Sequence, residues 1–381
     1  MMEKTKFYSY KTGCLAKGCQ MCVKGQKLVL FVTGICSRNC YYCPLSEQKK
    51  NKDVVYANEW KISSDKDIIK EAELCSAKGA GITGGDPLLK TERTAKYIKM
   101  LKKRFGKNFH IHLYAVPETI NNNNLKKLYD AGLDEIRFHP DIENSKFWNR
   151  IELAKKFKWK TGIEIPAIPE KLKETEKLID YIISLKPKID FININELEVS
   201  DTNASHLVEL GFIPKDSVSY GVLGSEKVAF ALLKKYGKKT SMHYCTAKLK
   251  DKVQLANRIK RRAKNAKKIF DIVTKSGSLI RGVIYLNELK PDFGYHKRIQ
   301  NLDTKKKKRI LNKLNLFAKT FAKEFSIPKE MFYTDDLKLR ILTNVGVARH
   351  FADYIKKSKF VPAVVEEYPT WDQMELRVDF L

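Results

Sequence analysis

The sequence predicts an α/β fold: a partial (β/α)6 barrel, preceded by a Cys-containing leader and followed by a basic α+β domain. Three observations predict it. Strand-like and helix-like segments alternate between about residues 27 and 240, the mark of repeated βα units. Six of the eight cysteines fall within the first 43 residues. Lys and Arg outnumber Asp and Glu by 73 to 44, a net +29 that is unevenly spread. The expected boundaries are 1–26 for the leader, 27–240 for the barrel and 241–381 for the basic domain. A doubly wound sheet is the alternative reading of the middle part, and either fold gathers its strand ends on one functional face.

The leader places Cys14, Cys19 and Cys22 in a CxxxxCxxC spacing. It has no apolar stretch of the secretory kind, and no run in the chain approaches the roughly 20 residues that span a membrane. The expectation is a soluble, cytoplasmic protein without a membrane partner. In a reducing compartment, closely spaced cysteines bind metal more often than they form bridges. Cys245 lies far along the chain, in Met242-His243-Tyr244-Cys245. With it the leader set could close a four-thiolate site, holding zinc or an auxiliary iron–sulfur cluster. Three thiolates alone would leave a cluster with one open iron. Cys75 lies in a helical segment and reads as a core thiol.

Six segments read as barrel strands: 27–33, 79–83, 109–115, 134–138, 161–165 and 189–195. Helical candidates between them include 65–77, 91–104 and 171–185. Parallel strands covered on both faces should be apolar throughout, and only the first obeys. In the later strands His110, His112 and Tyr114 share a face, as do Arg137 and His139, while Glu164, Asn193 and Asn195 alternate with isoleucines. Four strands with this pattern point to a wet, polar lumen with helices packed outside. Paired polar groups within a core are the alternative.

The first strand runs directly into Gly34-Ile35-Cys36-Ser37-Arg38-Asn39-Cys40-Tyr41-Tyr42-Cys43-Pro44. Three thiolates on one short loop can converge on a single inorganic cluster. On a [4Fe–4S] cluster they leave one iron free to bind a small ligand. CxxxCxxC with an aromatic before the last cysteine resembles the signature of the radical S-adenosylmethionine (SAM) superfamily. Half of a zinc site is the alternative, but structural zinc usually takes four protein ligands.

The resemblance implies a radical SAM barrel in which SAM binds the open iron through its amino and carboxylate groups. One electron then breaks a C–S bond and leaves methionine and a 5′-deoxyadenosyl radical. A second motif agrees. Gly84-Gly85-Asp86 ends the second strand and resembles the family's GGE motif, which binds the SAM amino group; Asp86 stands where many members carry Glu. By the same resemblance Arg137, His139 and Glu164 are candidates for the SAM ribose and carboxylate, and Tyr42 lies near the adenine. Overall, residues 27 to 200 are similar to archaeal proteins related to the pyruvate formate-lyase activating enzymes. Such chemistry requires a one-electron reductant of ferredoxin or flavodoxin type.

After Cys245, residues 248–268 carry ten Lys or Arg against one Asp. Leu249, Val253, Leu255, Ile259 and Ala263 recur at helical spacing, so this reads as an amphipathic helix with a basic face. Lys305–Arg309 opens another helix, where cations oppose the macrodipole. Segments 279–286, 337–342, 361–367 and 374–380 read as strands. Basic faces suit a polyanion, and the leading expectation is RNA, specifically tRNA, as the substrate of a modifying enzyme. A glycyl radical activase acting on a partner protein is the second reading. An RNA-binding protein with a structural cluster is the third.

Overall fold

The computed structural model describes residues 1–216 and 219–381, in two compact units, Met1–Arg258 and Ile259–Leu381. The leader is thus part of the first unit. So is the segment from 241 to 258, which sequence alone assigns to the basic domain.

The strands of the first unit are β1 (Glu3–Lys4), β2 (Tyr10–Thr12), β3 (Lys27–Phe31), β4 (Tyr56–Ala57), β5 (Trp60–Lys61), β6 (Gly79–Thr83), β7 (His110–Ala115), β8 (Glu135–Phe138), β9 (Lys160–Ala167), β10 (Phe191–Glu196) and β11 (Met242–Cys245). They form one sheet in the order β1-β2-β11-β10-β9-β8-β7-β6-β3-β4-β5. All six expected barrel strands are present, and they pair in parallel with their chain neighbours. β11 adds a seventh parallel strand beside β10. It in turn pairs antiparallel with β2, so the leader closes that edge of the sheet.

The alternation in the strands has the expected effect. Ile111, Leu113, Ile136, Phe138, Ile163, Ile165, Ile192 and Ile194 are fully buried, in one core with Ile68, Ile98, Leu101, Leu128 and Ile179 of the outer helices. The opposite faces carry the polar residues inward. At the level of His112 and Glu135, however, this interior is not a wet lumen. Helix α1 (Lys17–Val23) fills it. The Gly18 amide donates to Glu135 Oε2 at 3.3 Å. A Cβ at Gly18 would lie 2.5 Å from Arg137 Nη2 and 2.7 Å from His112 Nδ1, so only glycine permits this approach. Arg137 donates to Glu135 at 2.7 Å and to Glu164 at 3.0 Å, and Asn193 and Asn195 also donate to Glu164. Arg137, Glu135, Glu164 and the two asparagines thus pair with one another at this level.

The second unit has β12 (Ile272–Val273), β13 (Leu279–Leu286), β14 (Phe332–Asp335), β15 (Arg340–Thr343), β16 (Phe360–Glu367) and β17 (Glu375–Phe380). The main path is β14-β15-β13-β16-β17, with every pairing antiparallel. Helix Thr304–Glu324 packs Leu314 and Phe321 into a core with Ile284, Ile341 and Phe360. Its basic first turn is explained locally, because Asp303 caps it and accepts from the Lys306 amide at 2.7 Å. The basic stretch after Cys245 is helical from Ala247 to Ala266, with a wide-turned middle at Lys250–Leu255. Leu249, Val253, Ile259 and Ala263 are buried as expected, but Leu255 is exposed. Its basic face is partly used up: Arg258 pairs with Glu59, and Arg262 is buried. Among the described residues no helix is long and apolar enough to cross a membrane.

Candidate active site

The parallel ladder of β3 and β6 continues beyond both strands into the two motif loops. Val32 donates to Thr83 O, Gly85 to Thr33 O and Asp86 to Ile35 O, each at 2.8 Å. This stitches Gly84-Gly85-Asp86 to the start of the cysteine loop, one residue before Cys36. The approach is too close for a side chain, since a Cβ at Gly85 would sit 2.4 Å from Ile35 O. We expect Gly85→Ala to push the two loops apart, at the usual overpacking cost of about 1–3 kcal/mol. SAM affinity should then fall by about tenfold or more, equivalent to about 1.4 kcal/mol. Equilibrium dialysis against labelled SAM checks this, and unchanged affinity would mean that the ladder does not shape the site.

Asp86 itself is turned inward. It is fully buried; one carboxylate oxygen accepts from the Leu88 amide at 3.1 Å and the other from Thr119 Oγ1 at 2.6 Å. Burial pushes its carboxyl up to about 6, against the opposing hydrogen bond from Thr119. The side chain expected to meet a ligand therefore caps the turn that follows the two glycines.

Cys36, Cys40 and Cys43 are free thiols, all partly exposed. They share an irregular loop and lie within electrostatic reach of one another. Burial raises Cys36 and Cys40, while the Arg38 amide, donating to Cys36 Sγ at 3.4 Å, and the nearby Arg38 charge act the other way. Arg38 anchors the loop: its guanidinium donates to His139 O at 2.8 Å and pairs with Asp141 at 3.1 Å and Glu118 at 3.5 Å. Tyr42 OH meets His139 Nε2 at 3.1 Å, and the other ring nitrogen meets Glu164 O at 2.8 Å. Burial lowers His139 to about 4, so the ring is neutral at pH 7. Asn203 holds Tyr42 O at 3.1 Å from the segment after β10.

The motifs thus meet with His139 and Tyr42 at the C-terminal ends of the strands. Arg137 and the Glu164 carboxylate do not join them; both are spent on the network beside α1. Reading the sequence missed Arg38, Thr119, Asp141 and Asn203. Arg38 alone carried a signal, from its place inside the motif.

Among the described residues no three Cys, His, Asp or Glu side chains close around a single ion. A cluster spreads its thiolates over separate irons, and three free thiols on one irregular loop fit that demand. A fourth cysteine does not share the loop, so one iron would stay open.

Comparison with known proteins agrees with this geometry. Residues 30–182 match the radical SAM superfamily. A Methanocaldococcus jannaschii protein, named as a candidate glycyl-radical enzyme activating enzyme, is 50% identical over 296 residues, 75% of this chain and 78% of that protein. Among solved structures, methylornithine synthase is 12% identical with a TM-score of 0.38, covering 60% of this chain and 72% of that one. A radical SAM methyltransferase from Kitasatospora setae is 9% identical with a TM-score of 0.37, covering 58% of this chain; the chain spans 47% of that protein's length. Coproporphyrinogen III oxidase from Escherichia coli is 11% identical with a TM-score of 0.36, covering 60% and 57%. With half of its residues identical over three quarters of its length, and a superfamily match that begins in β3 and takes in both motif loops, this chain belongs to the radical SAM superfamily, whose members use a [4Fe–4S] cluster and SAM.

Proposed function

We propose that this chain is an activating enzyme that places a glycyl radical on a partner protein. Cys36, Cys40 and Cys43 would hold the cluster. The observation that supports the reading is the stitching of Gly84-Gly85-Asp86 to the cysteine loop, which sets the two motifs side by side. The choice of a protein partner is supported by the name of the 50% identical relative. When bound there, a reduced cluster would supply the electron for cleavage of SAM, and the hydrogen atom removed would come from a glycine Cα of the partner.

The residues of the chain would divide the remaining work. The backbone of Gly84 and Gly85 would offer carbonyl groups to the SAM ammonium, with Asp86 holding that turn from within. Tyr42 and neutral His139 would border the adenosyl part. Arg38 would keep the cysteine loop against the strand ends. With α1 filling the interior at the level of Glu135, the partner would enter from the opposite, C-terminal side of the strands. A ferredoxin- or flavodoxin-type protein would deliver the electron.

RNA, specifically tRNA, is the second reading, favoured by one observation: the exposed lysines Lys305, Lys306 and Lys308 at the start of helix Thr304–Glu324. One pair of experiments separates the two. Reduced enzyme with SAM should give a glycyl radical signal by electron paramagnetic resonance on a co-encoded glycyl radical enzyme. If no such partner acquires a radical, and a deletion strain instead lacks one modified tRNA nucleoside, the activase reading is overturned.

A further inference from the structure

The cysteines of the leader take no part in the site above. Cys19 and Cys22 lie one turn apart on α1, and so on one side of it. Cys245 ends β11, more than 220 residues later, with its side on the same face of that strand as His243. It packs with Val23, Leu249 and Val253 against the end of α1. Cys19 and Cys245 are buried and Cys22 is half-buried, so three thiols from two distant segments share one region. Cys14 lies apart: it is exposed, and its amide donates to Ser241 Oγ at 3.3 Å. The expected four-cysteine set is therefore reduced to three.

Burial raises all three thiols above their ordinary range, and nearby donors and cations act against it. Asn193 Nδ2 donates to Cys19 Sγ at 3.1 Å and Arg137 Nη2 at 3.4 Å. Gln254 Nε2 lies 3.9 Å from Cys245 Sγ. The charge of Arg137 acts on Cys19, that of Lys27 on Cys22 and that of Lys250 on Cys245. Hydrogen bonds to sulfur are a main lever on an iron–sulfur cluster. Two buried imidazole nitrogens in the same interior, His112 Nδ1 and His243 Nδ1, have no hydrogen-bond partner.

We infer that Cys19, Cys22 and Cys245 hold a second [4Fe–4S] cluster inside the barrel, which ties α1 to β11. Two reasons favour a cluster over zinc. The fourth thiol that a structural zinc site wants, Cys14, is exposed. Cys19 and Cys245 also receive N–H donors of the kind that clusters use. A seven-residue helix without a side-chain cap is marginal alone, and a cluster bonded to both of its cysteines would fix it in place. This inference is independent of the partner named above.

The test is a metal count. Anaerobically reconstituted full-length protein should hold about eight irons per chain, two clusters of four. The Cys36→Ala/Cys40→Ala/Cys43→Ala variant should hold about four, with the Mössbauer spectrum of a [4Fe–4S] cluster. Cys14→Ala should keep the full complement, and Cys245→Ser should lose about half of it. A wild-type content of about four irons overturns the inference. So does zinc in place of iron in the triple variant, or loss of half the iron from Cys14→Ala. Because the triple variant cannot cleave SAM, its iron content does not depend on the proposed activity. The wild-type count stands even if a variant fails to fold.

Discussion

Reduced anaerobically with dithionite, the reconstituted protein should convert SAM to 5′-deoxyadenosine and methionine, and the Cys36→Ala/Cys40→Ala/Cys43→Ala variant should fall to the no-enzyme background. The effect is all-or-none because the loop offers only these three thiols, and a cluster that loses its ligands loses the electron that splits SAM. Single substitutions are nearly as severe. Serine at Cys36 would lose the soft ligand and weaken the acceptor that faces the Arg38 amide. Arg38→Met should be milder. It keeps the thiols but frees the loop from His139, Glu118 and Asp141, so cluster retention should drop before catalysis per cluster does. Chromatography of the products, normalised to iron, measures each case. Cleavage that survived the triple substitution would remove the loop from the chemistry.

Arg137→Met should destabilise the first unit by about 3–5 kcal/mol, the usual result when one partner of a buried ion pair is removed. Arg137 is 1% exposed and is shared by Glu135, Glu164, Tyr114 and Cys19. Methionine fills much of the space but leaves two carboxylates buried without their cation. With total stability of about 5–15 kcal/mol for a typical domain, that loss would show directly in the urea midpoint. Arg137→Lys should recover only part of it, because one ammonium cannot span the forked contacts. In Arg137→Met/Glu164→Gln the two losses should add to less than their sum, since the second change removes a charge the first has orphaned. An Arg137→Met loss below about 1 kcal/mol would mean that solvent, not Arg137, satisfies these acids.

Some of this architecture is written locally. Isoleucine alternating with Asn or Glu in β9 and β10 declares one apolar and one polar face, whatever the rest of the chain does. The glycine pair after β6 and the cysteine spacing after β3 mark close backbone approach and cluster ligation in the same local way. β11 carried no such mark. Its four residues were too few to show a period, and its identity as a seventh parallel strand depends on β10 and β2 lying on either side of it. Asp86 also read as a ligand to be met from outside, until Thr119, 33 residues on, claimed its second oxygen.

By itself the sequence determined the strand and helix periods, the polar face of the barrel and the two motif loops. These depend on residues close together in the chain, where side-chain direction follows from backbone geometry alone. Only the tertiary structure decided that this polar face meets a helix rather than water, that Arg137 and Glu164 pair with each other beside that helix, and that Cys245 packs against the end of α1. The contacts of α1 behind these outcomes join residues more than 100 positions apart. Most buried polar groups find a hydrogen-bond partner, but which partner each finds is settled by how the sheet brings distant segments together.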